Sequence, residues 1–294
     1  MELKYLDIFC KVAELRSFTK AAEALYLTQP TVSIHMKTLE DEILGTRLFD
    51  RAGRTVVPTP AGAVLYNYAR EIVRLKDEAK QALDQFAGKM TGRLRIGAST
   101  IPGEYILPAL ISRFKGFYPE VVPVLKIADT MDITKQLLNA DVEIGVVGAF
   151  VKDKAIASRE FLEDELVLVG SVDFKKTRLD ASELKDVPLV LRERGSGSRA
   201  ALETFLKKRG VDINSLNIVS EMGSTQAMRQ AVRTGLGLSY LSRLAVKEDL
   251  DNGHIKEVKV KDFSVKRRFY IITRRNRQGS PVAGTFINFL LEKH

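Results

Sequence analysis

Gln29, Ser33 and Lys37 recur at every fourth residue, which puts them on one face of a helix. Val32, Met36, Leu39 and Ile43 follow at intervals of 4, 3 and 4 and take the inward face. The outward set offers an amide, a hydroxyl and an ammonium group, and His35 adds a ring donor. Such groups suit the edges of bases in a major groove, with the cation left for phosphate. A second set consists of small hydroxyls at the ends of expected strands: Ser99-Thr100, Asp129-Thr130-Met131, Gly195-Ser196-Gly197-Ser198 and Gly223-Ser224-Thr225. Each precedes an expected helix, whose free N–H groups attract negative charge, and the hydroxyls add donors. Gly148, after a further strand, joins this set. The chemistry expected there is the holding of a small anion, a carboxylate or an inorganic oxyanion. Capping of the helices alone is the other use for these hydroxyls.

Other chemistries lack their residues. The single cysteine, Cys10, falls in an apolar stripe with Leu3, Leu6, Phe9 and Ala13, and reads as a small buried hydrophobe. No disulfide within the chain follows from one cysteine, and His35, His254 and His294 are too scattered to suggest a metal site. No nucleophile–base pair is indicated, so catalysis is not expected. The Gly195–Ser198 run lacks the Lys-Ser/Thr ending of a phosphate-gripping loop. No cofactor is expected beyond a small-molecule effector.

The elements that must position these groups follow from the pattern. The chain has 294 residues, 45% apolar and 28% charged, which excludes disorder and suggests about two domains. Residues 1–44 read as three helices, with Ser17 and Thr28 as N-caps and Pro30 in the first turn of the third. A short second helix, a tight turn and a third helix with a polar outer face make a helix-turn-helix. Residues 47–58 read as a hairpin wing, with Arg51 and Arg54 near its tip, set to reach phosphate or to stay solvated. Thr59 and Pro60 open one helix to about Gly88. Ala61, Leu65, Tyr68, Ile72, Leu75, Ala79, Ala82 and Phe86 recur in it at intervals of 4 and 3. That heptad seam suits pairing with a second copy, or docking on its own domain. From Arg93 onward strands alternate with helices, including one helix over 102–117 and strands over 165–170, 236–241 and 269–273, the mark of a parallel sheet. The first residues lack a signal peptide's pattern and no apolar run is long enough to span a membrane, so a cytoplasmic protein with no membrane partner is expected.

The dense run Phe18-Thr19-Lys20-Ala21-Ala22-Glu23-Ala24-Leu25, Thr28-Gln29-Pro30-Thr31-Val32-Ser33, Leu39-Glu40, Gly45-Thr46-Arg47-Leu48-Phe49-Asp50-Arg51 and Thr59-Pro60-Ala61-Gly62 resembles the N-terminal domain of LysR-type transcriptional regulators. Arg194–Arg199, Glu221–Thr225 and Gly235–Ser239 resemble segments of that family's effector domain. The resemblance implies a winged helix-turn-helix over 1–58, a dimerising linker helix and hinge over 59–91, and a two-lobed α/β effector domain over 92–294 that is similar to a type II periplasmic binding protein. Lobe one is expected at 92–161 and 267–294, lobe two at 162–266. It also implies double-stranded DNA, a small-molecule effector and RNA polymerase as partners, and a homodimer or homotetramer; the strand-end hydroxyls make a small anionic effector the expected one. Thr28, Gln29, Pro30, Thr31, Ser33, Ile34, His35, Lys37, Arg51 and Arg54 are the expected DNA-binding residues. Many members carry arginine and glutamine where this chain has Ile34 and His35. Ile34 offers an apolar contact to a thymine methyl in place of a guanine pair. Ser99, Thr100, Thr130, Met131, Gly148, Ser196, Gly197, Ser198, Ser224 and Thr225 are the expected effector-binding residues.

The net charge of +9 hints at a polyanion, but its distribution does not follow the helix-turn-helix. Residues 1–60 carry 8 Lys+Arg and 8 Asp+Glu, whereas residues 254–294 carry 10 and 3. Affinity for DNA must therefore come from a few placed groups, and the C-terminal runs Lys266-Arg267-Arg268 and Arg274-Arg275-Asn276-Arg277 read as a solvated face or an interface to an acidic neighbour.

Overall fold

The computed structural model describes residues 1–52, 55–261, 263–275 and 279–292. It divides into two compact units, Met1–Gly88 and Lys89–His294. Among the described residues no helix is long and apolar enough to cross a membrane.

The first unit opens with α1 (Leu3–Leu15), α2 (Phe18–Leu25) and α3 (Gln29–Lys37). Ser17 and Thr28 cap the second and third of these, accepting from the Lys20 and Thr31 N–H groups at 3.3 Å each. The third helix does not run on to residue 44 as the periodicity predicts. It passes into a π-helical turn, Thr38–Leu44, and Gly45 ends that turn at φ 60°, a backbone conformation suited to glycine. The wider turn brings the Glu40 carboxylate to the N–H groups of Leu48 and Phe49, at 2.7 and 3.1 Å. The hairpin of β1 (Phe49–Ala52) and β2 (Thr55–Pro58) starts from that anchor. Leu6, Phe9, Val12, Val32, Met36, Leu39 and Leu48 form the core beneath. Cys10 is buried among them, and burial pushes its thiol up to about 12.

Thr59 joins hairpin to helix. Its hydroxyl donates to the Arg47 carbonyl at 2.8 Å and accepts from the Gly62 N–H at 3.0 Å, opening α4 (Pro60–Phe86). Gly62 lies against the Leu48 carbonyl so closely that a Cβ would stand 2.1 Å from its oxygen.

The second unit runs β3 (Gly92–Ala98), α5 (Leu107–Phe117), β4 (Val121–Ile127), α6 (Thr130–Leu138) and β5 (Ile144–Val147). Then follow β6 (Ile156–Ser171), β7 (Arg178–Leu179), β8 (Leu189–Arg192), α7 (Gly197–Lys208), β9 (Ile218–Met222) and α8 (Thr225–Arg233). The chain closes with β10 (Ser239–Ser242), α9 (Arg243–Asp251), β11 (Ile255–Glu257), β12 (Lys259–Val260), β13 (Val265–Arg274) and α10 (Pro281–Leu291). The helix expected over 102–117 begins instead as a π-helical turn, Pro102–Ile106. The strand expected over 236–241 begins only at Ser239, and it runs into α9, where the pattern predicts no helix.

β3 pairs in parallel with β4 and β5, and β8 with β9, as βαβ units require. Two long strands break that rule. β6 and β13 pair antiparallel from Arg274 opposite Ile156 to Val265 opposite Leu166, with an irregularity between Arg268 and Tyr270. They cross between two cores. One core holds Leu94, Ile96, Phe114, Ile144, Ile271 and Phe286; the other holds Leu168, Leu189, Leu202, Tyr240 and Val265. The expected lobe boundaries near 161 and 267 therefore fall inside continuous strands.

Replacing Gly62 by alanine drives a Cβ into the Leu48 carbonyl and should destabilise the first unit by about 1–3 kcal/mol. Calorimetry should show a lowered transition for residues 1–88 with the other transition unmoved. An unchanged thermogram would refute this packing.

Candidate functional site

The outward face of α3 carries the expected DNA-reading groups. Gln29, Pro30, Ile34 and Lys37 are exposed, Ile34 with 64% of its surface open. The Gln29 amide donates to the Ser33 hydroxyl at 2.7 Å, so the two present one polar unit. Thr28 and Thr31 share a hydroxyl contact of 2.8 Å at the start of the helix. His35 is half-buried and packs edge-on against the Tyr5 ring, with centroids 5.4 Å apart. Arg51 stands in β1 opposite Val56, and Arg54 lies outside the described residues.

The apolar seam of α4 divides in two. Leu65 packs into the core of its own unit with Tyr66, Ala69 and Val73, which corrects its expected place on a pairing face. Beyond it Tyr68, Ile72, Leu75, Ala79, Ala82 and Phe86 are all exposed, and so is Leu83, which the seven-residue register leaves out.

In the second unit one narrow cleft gathers Ser99, Thr100, Ile101, Asp129, Thr130, Gly148, Arg192, Ser196, Gly197, Ser198 and Arg267. Seven of the ten expected effector residues are in this lining. Asp129 turns its carboxylate to the Asp132 N–H at 2.8 Å, capping α6. Gly148 and Gly197 meet backbone to backbone: a Cβ on Gly197 would lie 3.2 Å from the Gly148 carbonyl. A Cβ on Gly148 would lie 3.4 Å from the Arg267 guanidinium and 3.7 Å from the Ser99 hydroxyl. Both glycines thus keep the cleft open where it is tightest.

Three expectations are corrected. Met131 is 58% exposed and Ser224 is exposed with its hydroxyl capping α8; neither lines the cleft. Thr225 is buried behind it, accepting from Arg192 Nη1 at 2.8 Å.

The cleft also holds two guanidinium groups, Arg192 and Arg267, that no local sequence motif marks. Arg192 ends β8, and its Nε and Nη2 donate to the two Glu193 oxygens at 2.8 and 2.7 Å. Burial raises the Glu193 carboxyl, but these bonds outweigh it and hold the group below its ordinary value. Arg267, expected in a solvated basic run, is 8% exposed. Its Nε donates to Asp164 at 2.7 Å, its Nη1 donates to Ser198 at 3.0 Å, and its guanidinium lies over the Phe269 ring. Ser242 donates to the other Asp164 oxygen at 2.7 Å. Burial pulls the Arg267 guanidinium below its ordinary value; Asp164 opposes this, and the charge of Arg192 adds to it. The available signal was strand alternation, since Val265, Arg267 and Phe269 share one buried face of β13.

Two polar atoms in this lining lack hydrogen-bond partners among the described residues: the buried Thr130 hydroxyl and Arg267 Nη2, which lies 2.7 Å from Asp164 but out of line with it. Each can still take a hydrogen bond, the hydroxyl as donor or acceptor and the guanidinium nitrogen as donor.

Residues 3–63 match the family described as bacterial regulatory helix-turn-helix protein, lysR family, and residues 87–294 match the LysR substrate binding domain. The HTH-type transcriptional activator CmpR of Synechocystis sp. is 33% identical over 98% of this chain and 94% of its own. Full-length CbnR complexed with its target DNA shares the fold, with a TM-score of 0.70 at 22% identity over 99% of both chains. The regulatory domain of Synechocystis CcmR in complex with 2-PG aligns with a TM-score of 0.62 at 26% identity, over 68% of this chain and 96% of that one. The chain belongs to the lysR family: it is a DNA-binding transcriptional regulator with an N-terminal helix-turn-helix and a two-lobed α/β effector-binding domain.

Proposed function

We propose that a small anion, a carboxylate or an inorganic oxyanion, binds between the lobes and changes how the chain holds DNA. The observation that carries this is the pair of guanidiniums, Arg192 and Arg267, in one narrow cleft with the unpartnered Thr130 hydroxyl. Arg267 is already countered by Asp164 and Arg192 by Glu193. The cleft therefore holds an anion by directed hydrogen bonds more than by bulk field. Ser99, Thr100, Ser196 and Ser198 supply further hydroxyls. The CcmR domain's complex with 2-PG supports a small-molecule effector in a domain of this fold.

The division into 1–58, 59–91 and 92–294 assigns one task to each part. Thr28, Gln29, Pro30, Thr31 and Ser33 read base edges, Ile34 meets a thymine methyl, and Lys37, Arg51 and Arg54 hold phosphate. His35 serves mainly as packing against Tyr5. The free face of α4 pairs two copies, and two such dimers form a homotetramer that spans two sites on DNA. The protein works in the cytoplasm, catalyses no reaction and acts on RNA polymerase through the DNA it occupies. Only an anion with different affinities for two lobe arrangements can shift the equilibrium between them.

Calorimetric titration with a panel of small carboxylates and oxyanions should find at least one that binds. Thr130→Val, which removes a hydroxyl with no internal partner, should weaken that anion about 5- to 10-fold while the fold is kept. No binding by the wild type, or equal binding by the variant, would contradict the site. Sedimentation should find Ile72→Glu with Leu75→Glu in smaller species than the wild type. A monomeric wild type, or an unshifted variant, would refute pairing through α4.

A further inference from the structure

Tyr26 is 97% exposed, in the turn that joins α2 to α3. It closes α2 in the left-handed conformation, φ 56° and ψ 38°, with its N–H on the Ala22 and Glu23 carbonyls. That backbone conformation favours glycine or asparagine and disfavours a tyrosine. The ring packs on nothing that would offset this, and the hydroxyl makes no hydrogen bond among the described residues. The stability of the turn therefore does not account for the residue.

Its place does. Tyr26 precedes the N-cap Thr28 by two residues and Gln29 by three. When a helix-turn-helix docks, the N-terminal residues of the second helix meet the bases while the first helix crosses the sugar-phosphate backbone. The turn between them stands beside the flanking phosphates. Residues 1–60 carry 8 cationic and 8 anionic side chains, so uncharged donors must take a share of the backbone contacts. Tyrosine is among the side chains that do so.

We propose that Tyr26 is a DNA-backbone contact, its phenol hydroxyl donating to a phosphate oxygen beside the groove that α3 enters. This rests on the reading that α3 is the recognition helix. A neutral donor releases no counterion, so this contact adds affinity without adding salt dependence. In that respect it differs from Lys37.

The test uses the full chain and a duplex it selects from random-sequence DNA, with binding followed by fluorescence anisotropy between 50 and 200 mM salt, the range over which counterion release is read. Tyr26→Phe and Tyr26→Asn should each bind about 5- to 10-fold more weakly, with the slope of log K against log salt unchanged. Lys37→Ala should reduce that slope by about one. Tyr26→Asn should melt higher than the wild type, which separates a lost contact from a damaged fold. A neutral methylphosphonate at the contacted phosphate, which keeps only one phosphoryl acceptor, should shrink the difference between wild type and Tyr26→Phe. Wild-type affinity in Tyr26→Phe would overturn the proposal, including the case in which the ring serves a protein partner. If Gln29→Ala and Lys37→Ala both bind like wild type, the recognition-helix reading itself fails, and that result is independent of Tyr26.

Discussion

The ion pair between Asp164 and Arg267 lies on the two strands that join the lobes, and the cleft depends on it. The residues face each other across the β6–β13 ladder. Both are almost fully buried, so neither charge is tolerable alone; removing one partner of such a pair costs about 3–5 kcal/mol. Ser242 satisfies one Asp164 oxygen, and Ser198 extends the network to the start of α7. The network thus fixes Arg267 between the hydroxyls of Ser99 and Thr130 on one lobe and those of Ser196 and Ser198 on the other. The strand irregularity next to it, between Arg268 and Tyr270, is the kind of feature that re-aims a side chain. On the outer side of the same strands Arg268 pairs with Glu160 and Glu163. These exposed pairs are worth little by themselves, but they account for part of the C-terminal positive charge within the fold.

The N-terminal unit obeys a different constraint, the presentation of one helix by a small domain with no net charge in its first sixty residues. Glu40, Thr59 and Gly62 together set where the wing leaves α3 and where α4 begins. Each acts through a backbone group: a carboxylate on two N–H groups, a hydroxyl between a carbonyl and an N–H, and a missing side chain against a carbonyl. Interactions of this kind fix direction, and direction is what reading base edges requires. On the pairing proposed above for the exposed stripe of α4, joining several copies would multiply the affinity that so few cations supply.

Much of this was legible in the sequence. The caps Ser17, Thr28 and Thr59 and the inward series Val32, Met36 and Leu39 are local signals, and the fold keeps them. Hydroxyls at strand ends also fell largely into one cleft, because parallel strands deliver their carboxyl ends to the same edge. What was not legible depended on tertiary contact. Arg267 belongs to a basic run in the sequence, and only pairing with a distant Asp164 makes its burial tolerable. Leu65 fits the heptad as well as Tyr68 does, but α1 and the wing lie over one part of that helix and not the rest. Met131 and Ser224 sit one residue away from positions that face inward, and a helix turns about 100° per residue.

An anion in the cleft can govern DNA binding only if the two sites are coupled, and coupling is reciprocal. The most direct measurement is calorimetric titration of the full-length chain with its bound anion, once with and once without the selected duplex. The duplex should change the anion's affinity by the same factor by which the anion changes the duplex's affinity, typically 5- to 150-fold. An anion that binds equally well to the free and DNA-bound chain would contradict it.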